Sequence, residues 1–342
     1  MTLKSYIVTR ALLTIPTVLL LVTIVFLIVR VLPGDPALLH FGKQVNPAAL
    51  ASVRHALGLD VPIYAQYYNY IVGLFQGNLG VAFSNEQPVA PQIISAFPAT
   101  LELSIGSMGV AVLVGVVLGV RSSRKYGSVE DTAIRTFGVV IYSIPVFFLG
   151  LIFIAVFAIG LHILPSGGRI SALIPTGGTI FGVHVQTGLY TVDALLAGNL
   201  GEFVDALRHL ILPCSALGLY ISAVFLRITR SNMLETLGTE YVTSAKARGL
   251  KERTILYSYG LRNGLLPVLT IMGLEFAGLL AGAILTETTF AWNGVGTYIV
   301  TAITQRDYMA IQGAVVFFGI LVAIVSLIVD ILYAYLDPRI RY

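Results

Sequence analysis

The 342-residue sequence predicts an all-α integral membrane protein with six transmembrane helices and two caps on its outer side. Three observations predict it. The chain is 56% hydrophobic and only 11% charged, with a mean hydropathy of +0.87. Soluble domains carry roughly 25% charged residues, and a soluble chain of this length has no means of hiding so much apolar surface. Charge-free runs recur at the length of a membrane span. Basic residues collect in alternate connecting segments.

A bilayer core of ~30 Å needs about 20 helical residues. Ala11–Val29 supplies 19 uncharged residues, Leu103–Val120 supplies 18 and Thr136–Leu161 supplies 26. Leu210–Leu226 supplies 17, Asn263–Thr286 is interrupted only by Glu275, and Tyr308–Val329 supplies 22. The first run exceeds the 7–15 residues of a signal-peptide core and lacks a small-residue cleavage site. The turn "VLPGDPALL" follows it, so it is expected to remain as a helix that stops at the membrane surface. Ile170–Val183 is uncharged but holds Pro175 and three glycines, which predicts a loop.

With the N-terminus placed in the cytoplasm, 15 of the 21 basic residues fall on that side, seven of them between Arg227 and Arg262. This is the positive-inside bias, and it predicts both termini in the cytoplasm of a multi-pass cell-membrane protein. The expected division is residues 1–32 for the N-terminal end and first span, 33–98 for an extracytoplasmic region, 99–336 for the transmembrane core and 337–342 for the C-terminal end. A helical period in Tyr64, Tyr67, Tyr68, Ile71 and Leu74 predicts a helix in the first cap. In the second, "EFVDALRH" reads as helical. His40, His55, His162, His184 and His209 all fall outside the membrane at spacings that match no ligand motif, so no metal site is expected. Cys214 is expected to be a small apolar residue within a span.

One dense polar stretch stands against this background. "EYVTSAKARGLKERTILYSYGLRNGLLP" (240–267) holds seven charged residues, five of them basic, and falls on the cytoplasmic side between spans four and five. Its first part is helix-compatible, with Val242, Ala245 and Gly249 along one side and Lys246 pointing elsewhere. Gly249 is expected to end that helix. A short surface helix with small residues suits docking into a groove of a soluble partner.

The stretch resembles the cytoplasmic loop of ABC importer permeases, and in particular that of the dipeptide/oligopeptide branch, which runs close to E-Y-V-x-x-A-x-A-x-G-L and then L-R-N-x-L-L-P. Matching residues are Glu240, Tyr241, Val242, Ala245, Ala247, Gly249 and Leu250, then Leu261, Arg262, Asn263, Leu265, Leu266 and Pro267. The wider superfamily has E-A-A where this chain has Thr243, Ser244 and Ala245, and a proline where it has Arg262. "VLPGDPA", "GNLGVAF", "FPATLELS", "SIPVFFLGL", "LTETTFAWNGVG", "RDYMAIQG" and "VDILYAYLDPRIR" also resemble family strings, in family order. The resemblance implies the fold of a type I ABC importer permease, which forms one half of a pore for peptides brought by a binding protein. It implies as partners a second permease, two cytoplasmic ATPases, an outer substrate-binding protein and the bilayer, with no nucleic acid. It also implies an ATPase-coupling role for Glu240, Tyr241, Ser244, Ala245, Lys246, Ala247, Gly249 and Leu250. Similar permeases handle oligosaccharides or nickel, so those substrates stay open.

The residues add their own constraints. No G-x-x-x-x-G-K-[ST] phosphate loop is present, and the Gly42-Lys43 pair lies outside, so ATP and Mg are expected on partner subunits and the chain is expected to be non-catalytic. Intramembrane acids are costly and face a cavity or a partner. Helix-end positions favour a structural part for Glu102, Glu287 and Asp330. Glu275 lies deeper and is read either as lining the pore or as pairing across the interface with the second permease. Pro145, in Ser143-Ile144-Pro145, is expected to kink span three. Candidates for the translocation path are Ser143, Pro145, Glu275 and Glu287. Gly273, Gly278 and Gly282 are expected at close helix contacts. An ion-coupled transporter or channel is the alternative reading, and it gives the 240–267 stretch no task. An intramembrane enzyme is the third, although no histidine falls within the six runs.

Overall fold

The computed structural model describes residues 3–31, 54, 60–171, 177–180, 183–281 and 283–336. Most of the 31–37 turn string, His40, Gly42-Lys43, His55, Gly282, Arg339 and Arg341 lie outside the described residues. Four helices are long and apolar enough to cross a membrane: Ile7–Arg30, Val89–Arg124, Leu200–Leu237 and Tyr308–Ile331. Two bent pairs complete a set of six, Val129–Ser143 with Val146–Gly160 and Glu252–Gly264 with Pro267–Leu280.

The elements in chain order are α1 (Leu3–Val31), α2 (Ile63–Phe75), α3 (Val89–Arg124), α4 (Val129–Ser143) and α5 (Val146–Gly160), the last closing in a π-helical turn. A β1–β2 hairpin (Gly178–Ile180 and Val183–Val185) follows, then α6 (Tyr190–Leu196) and α7 (Leu200–Leu237). The polar stretch forms α8 (Glu240–Ala247) and α9 (Glu252–Gly264). The chain ends with α10 (Leu266–Leu280), α11 (Ile284–Thr289), α12 (Val295–Thr304) and α13 (Tyr308–Leu336). The antiparallel hairpin, with Thr179 opposite His184, replaces part of the loop expected over 170–183. Backbone pairing at its ends is local and leaves no hydrophobic period in so short a run.

The centre is the pair α3 and α7, which run parallel: Gly106 lies at Cys214, Gly115 at Phe225 and Gly119 at Thr229. A helix of 36 residues is about 54 Å long, so α3 is longer than a ~30 Å bilayer core is thick. Glycines let the two backbones close. A Cβ on Gly115 would lie 2.6 Å from the Phe225 Cβ, and one on Gly218 would lie 2.6 Å from the Ser107 carbonyl oxygen. Cys214 is buried against Leu103 and Gly106, the apolar place expected of it. Around this pair, α1 and α13 pack through Val22, Val25 and Val316, and Arg10 pairs with Asp330 at 3.3 Å. Gly273 meets Val329 with no room for a side chain, whereas Gly278, also expected at a contact, has open space beside it.

The third span breaks at the predicted place. Ile144 is extended (φ −86°, ψ 125°), as the residue before a proline is driven to be, and Pro145 supplies no N–H to the preceding turn. The axes on the two sides differ by 100°, a sharp break where a kink was expected. The fifth span differs more. It starts with α9 at Glu252, bends by 50°, and ends at Leu280. The run was expected to continue to Thr286, but Ile284–Thr289 forms the separate helix α11. Hydropathy alone does not distinguish a membrane helix from a buried short one.

The glycine contacts make a clear prediction. Gly115→Leu should lower the thermal midpoint of the detergent-purified protein by several degrees, since overpacking a tight contact costs ~1–3 kcal/mol. Gly109→Leu, on the same helix with nothing within 4 Å, should leave it unchanged. Equal melting of the two variants would show that the α3–α7 contact is not tight in the folded protein.

Candidate functional site

The segment 227–262, expected on the cytoplasmic side, is an ordered structure built on the end of α7. Thr239 takes an extended conformation (φ −76°, ψ 156°) and starts α8 at Glu240. Val242 and Ala245 are fully buried against Leu237, Leu250, Ile255 and Tyr259. The helix ends in a Schellman arrangement: the Leu250 amide donates to the Ala245 carbonyl (3.3 Å) and the Gly249 amide to that of Lys246 (2.9 Å). Gly249 has φ +73°, the left-handed conformation expected for it. Ala245 was expected to help present a docking face. It points instead into this chain's own core, because positions 242 and 245 share the side of the helix that faces α9. The outward face carries Glu240, Tyr241, Thr243, Ser244, Lys246, Ala247, Arg248 and Gly249, all exposed.

The two halves of the 240–267 stretch prove to be one unit. Asn263 Nδ2 donates to the Tyr241 hydroxyl and to the Tyr259 carbonyl, both at 3.0 Å, and the Tyr241 and Tyr259 rings stack at 6.3 Å. A β-carbon on Gly264 would meet the Met233 sulfur of α7 at 3.3 Å. The surface helix is thus fastened both to α7, where it begins, and to α9, which leads into span five.

A further anchor on this side escaped the sequence reading. Arg230 of α7 clasps Asp131 of α4 with two hydrogen bonds of 2.8 Å. Ser122 of α3 and the Gly127 amide also donate to Asp131, which is 1% exposed. Ser128 caps α4 by accepting from the Asp131 amide. The Ser-x-x-Asp spacing of 128–131 was a legible capping signal, but nothing in the sequence indicated Arg230 as its partner, 99 residues away.

Of the four residues proposed for the path, Ser143 and Pro145 are exposed at the break between α4 and α5. Glu275 is half-buried in α10 and has no hydrogen bond or ion pair among the described residues. Glu287 does not fit a path. It is fully buried, accepting from the Thr100 hydroxyl (2.7 Å) and from the Thr297 amide (2.8 Å) in the first turn of α12. A carboxylate there meets the unpaired N–H groups and positive dipole end of that helix. A Cβ on Gly294 would lie 2.6 Å from the Glu287 carboxyl carbon. The string "ETTFAWNGVG" therefore builds an acid-capped helix start, which Trp292 fixes to α3 by donating to the Ala99 carbonyl at 2.8 Å.

Glu102, expected near a helix end, lies within α3 and pairs with Arg169 at 2.8 Å, their side chains 6% and 10% exposed. It also accepts from the Thr191 amide (2.9 Å) and hydroxyl (2.6 Å). Arg169 donates to the Gly188 carbonyl and lies 3.6 Å over the Tyr190 ring. This clamp fastens the segment that follows α5 onto α3.

A six-span core with a structured surface helix between its fourth and fifth spans defines the class, and the comparisons agree. Residues 111–342 match the family described as "Binding-protein-dependent transport system inner membrane component", and residues 3–104 match its N-terminal component. The chain belongs to this family, the permeases of ABC importers. It is 41% identical over 339 residues to the di/tripeptide transport system permease protein DppB of Pseudomonas aeruginosa, covering 99% of both chains. It is 37% identical to the dipeptide transport system permease protein DppB of Escherichia coli, again over 99% of both. It is 35% identical, at the same coverage, to the glutathione transport system permease protein GsiC of Salmonella choleraesuis.

The outer clamp is testable. Glu102→Ala leaves the Arg169 guanidinium buried without its charge partner, which costs ~3–5 kcal/mol for a buried pair. The variant should therefore melt well below the parent. Glu102→Ala combined with Arg169→Met should recover most of that loss. Independent, additive effects in the melting curves would mean that the two side chains are not paired.

Proposed function

We propose that this chain forms half of the transmembrane pathway through which an ABC importer takes up dipeptides and short oligopeptides. Its partners in this reading are a second permease, two cytoplasmic ATPases that bind ATP and Mg, and an outer substrate-binding protein. The observation that carries the substrate class is end-to-end similarity to permeases named for dipeptides and di/tripeptides. The chain itself hydrolyses nothing in this account: it lacks a phosphate loop, and energy enters through a protein contact.

That contact is assigned to the outward face of α8, through Glu240, Tyr241, Ser244, Lys246, Ala247 and Gly249. Ala245 and Leu250 act from beneath, by holding the helix to Ile255 and Leu237. Both termini and α8 are assigned to the cytoplasm, and α6 with the β-hairpin to the outer side. A reconstituted complex that takes up dialanine only with ATP and binding protein supports the reading. Uptake by the purified single chain down an ion gradient would sink it.

Two measurements test its parts. Single cysteines placed in a Cys214→Ala background by Leu195→Cys and Ser244→Cys should react with impermeant thiol reagents from opposite sides, the first from outside. The reverse pattern would invert the topology. Gly249→Val should cost ~1–2 kcal/mol in backbone strain, since a branched residue does not tolerate this positive φ. It should abolish ATPase co-purification or uncouple hydrolysis from uptake. Gly249→Asn, compatible with that φ, should retain most coupling, because no atom lies within 4 Å of a Cβ there. Lys246→Ala should do little, as an exposed charge contributes ~0–1 kcal/mol. Full uptake and ATPase retention by Gly249→Val would show that α8 is not the transmission element.

A further inference from the structure

Arg30 is the last residue of the first span. With Gln66 and Tyr70 of α2 and Gln312 of α13 it lines a cavity of ≈ 270 Å³ that reaches the 78–81 segment. Helix α2 is seated there by its inward face. Tyr67 meets Phe26 edge-on at 5.3 Å, Tyr70 stacks on Phe26 at 5.4 Å, and the Thr23 and Tyr67 hydroxyls are 2.7 Å apart. Polar atoms in the cavity wall are left over. Nε and Nη1 of Arg30 are buried with no hydrogen-bond partner among the described residues, and no acidic residue lines the cavity. Gln66 donates its amide N–H to the Val61 carbonyl at 2.8 Å, and its own carboxamide oxygen accepts nothing. Gln312 is 4% exposed, and its carboxamide oxygen and the Tyr70 hydroxyl also lack a partner in hydrogen-bonding geometry.

A buried guanidinium needs an anion, and buried amide oxygens need N–H or O–H donors. Water filling the cavity, about nine molecules at ~30 Å³ each, serves the oxygens but leaves the charge unanswered. We propose that this cavity holds the head group of a membrane phospholipid that carries a primary ammonium, its phosphate on Nε and Nη1 of Arg30 and its ammonium on the Gln66 and Gln312 oxygens. Guanidinium groups bind phosphate oxygens in pairs, and the Tyr70 hydroxyl serves either end. The surroundings favour a lipid over a free solute. Leu27 and Ile28, on the last turn of α1, are 44% and 50% exposed. Tyr64, Tyr68, Val72 and Phe75 form an exposed stripe along α2. Apolar side chains exposed at the end of a span, with tyrosines at the same level, mark the membrane–water interface, where head groups lie. The acyl chains then run along the exposed face of α1. The inference rests on the membrane-spanning fold and not on the peptide reading, and it holds for either orientation, since both leaflets carry phosphate at that depth.

The test uses the full complex, purified in detergent and stripped of lipid, with hydrogen exchange over residues 63–75 as the readout of occupancy. Dihexanoyl phosphatidylethanolamine should protect these amides. Phosphatidylcholine of the same chain length has no ammonium N–H, and should need about tenfold more for the same protection, the loss expected of one charge-assisted hydrogen bond. Arg30→Gln should raise the half-saturating concentration of both lipids by about tenfold or more. Gln312→Leu should raise it for phosphatidylethanolamine alone and so erase the difference between the two lipids, which a general loosening of α2 does not do. If a variant fails to assemble, the wild-type comparison decides the matter by itself. Equal half-saturation by the two lipids in wild type overturns the proposal, as does an unchanged value in assembled Arg30→Gln. Protection by inorganic phosphate or by trialanine at the same concentrations overturns the lipid in favour of a free anion or a peptide. Protection by the binding protein but by no lipid gives the α2 stripe to a protein partner, and protection by none of these leaves the cavity to water; either result overturns the proposal.

Discussion

The close approach of α3 and α7 is the contact on which the remaining structure depends. Where glycines remove side chains from one helix, the other packs against bare backbone, and the two move as one body. Each other anchor is fixed to this pair. Trp292 and Thr100 tie the α11–α12 corner to α3. Glu102 ties the outer segment to α3, and Arg230 ties α4 to α7. Two residues separate the end of α7 from the start of α8. A rigid axis thus connects the segment that follows α5 with the surface helix α8.

The treatment of charge divides the molecule into a structural and a working part. Removing a carboxylate from water is costly unless hydrogen bonds or a counter-charge replace the lost hydration. Glu102, Asp131, Asp193, Glu287 and Asp307 all meet that requirement, through an arginine or through backbone amides at turns and helix starts. They hold elements together and have no capacity left for a passing substrate. Glu275 is different: its helix is apolar, and it has no hydrogen bond or ion pair among the described residues.

The polar segment that follows α7 divides similarly. Val242 and Ala245 are buried anchors, and the Asn263–Tyr241–Tyr259 contacts lock the helix to span five. What remains exposed is a short polar face ended by a glycine in a conformation that other residues resist. The small residues of this stretch thus divide by function. Ala245 is small because α9 lies against it. Ala247 and Gly249 face solvent, where a small residue leaves room for an incoming surface.

Much of this was determined by the sequence alone, wherever the physics is local or set by the solvent. Hydropathy dictated the six spans, proline geometry the break at Ile144-Pro145, and glycine the end of α8 at position 249. The polar stretch at 240–267 and the strings around it were enough for the family. Only the tertiary structure decided what depends on partners distant in the chain. A sequence marks Glu102, Glu275 and Glu287 as acids in apolar surroundings, and nothing local distinguishes them. The fold brings Arg169 to the first and a helix N-terminus to the third, and among the described residues it brings no hydrogen bond or ion pair to the second. That difference sets two of the three as structural, because the energy of a buried charge lies in what surrounds it, and for these residues the surroundings come from 67 positions away or from ten.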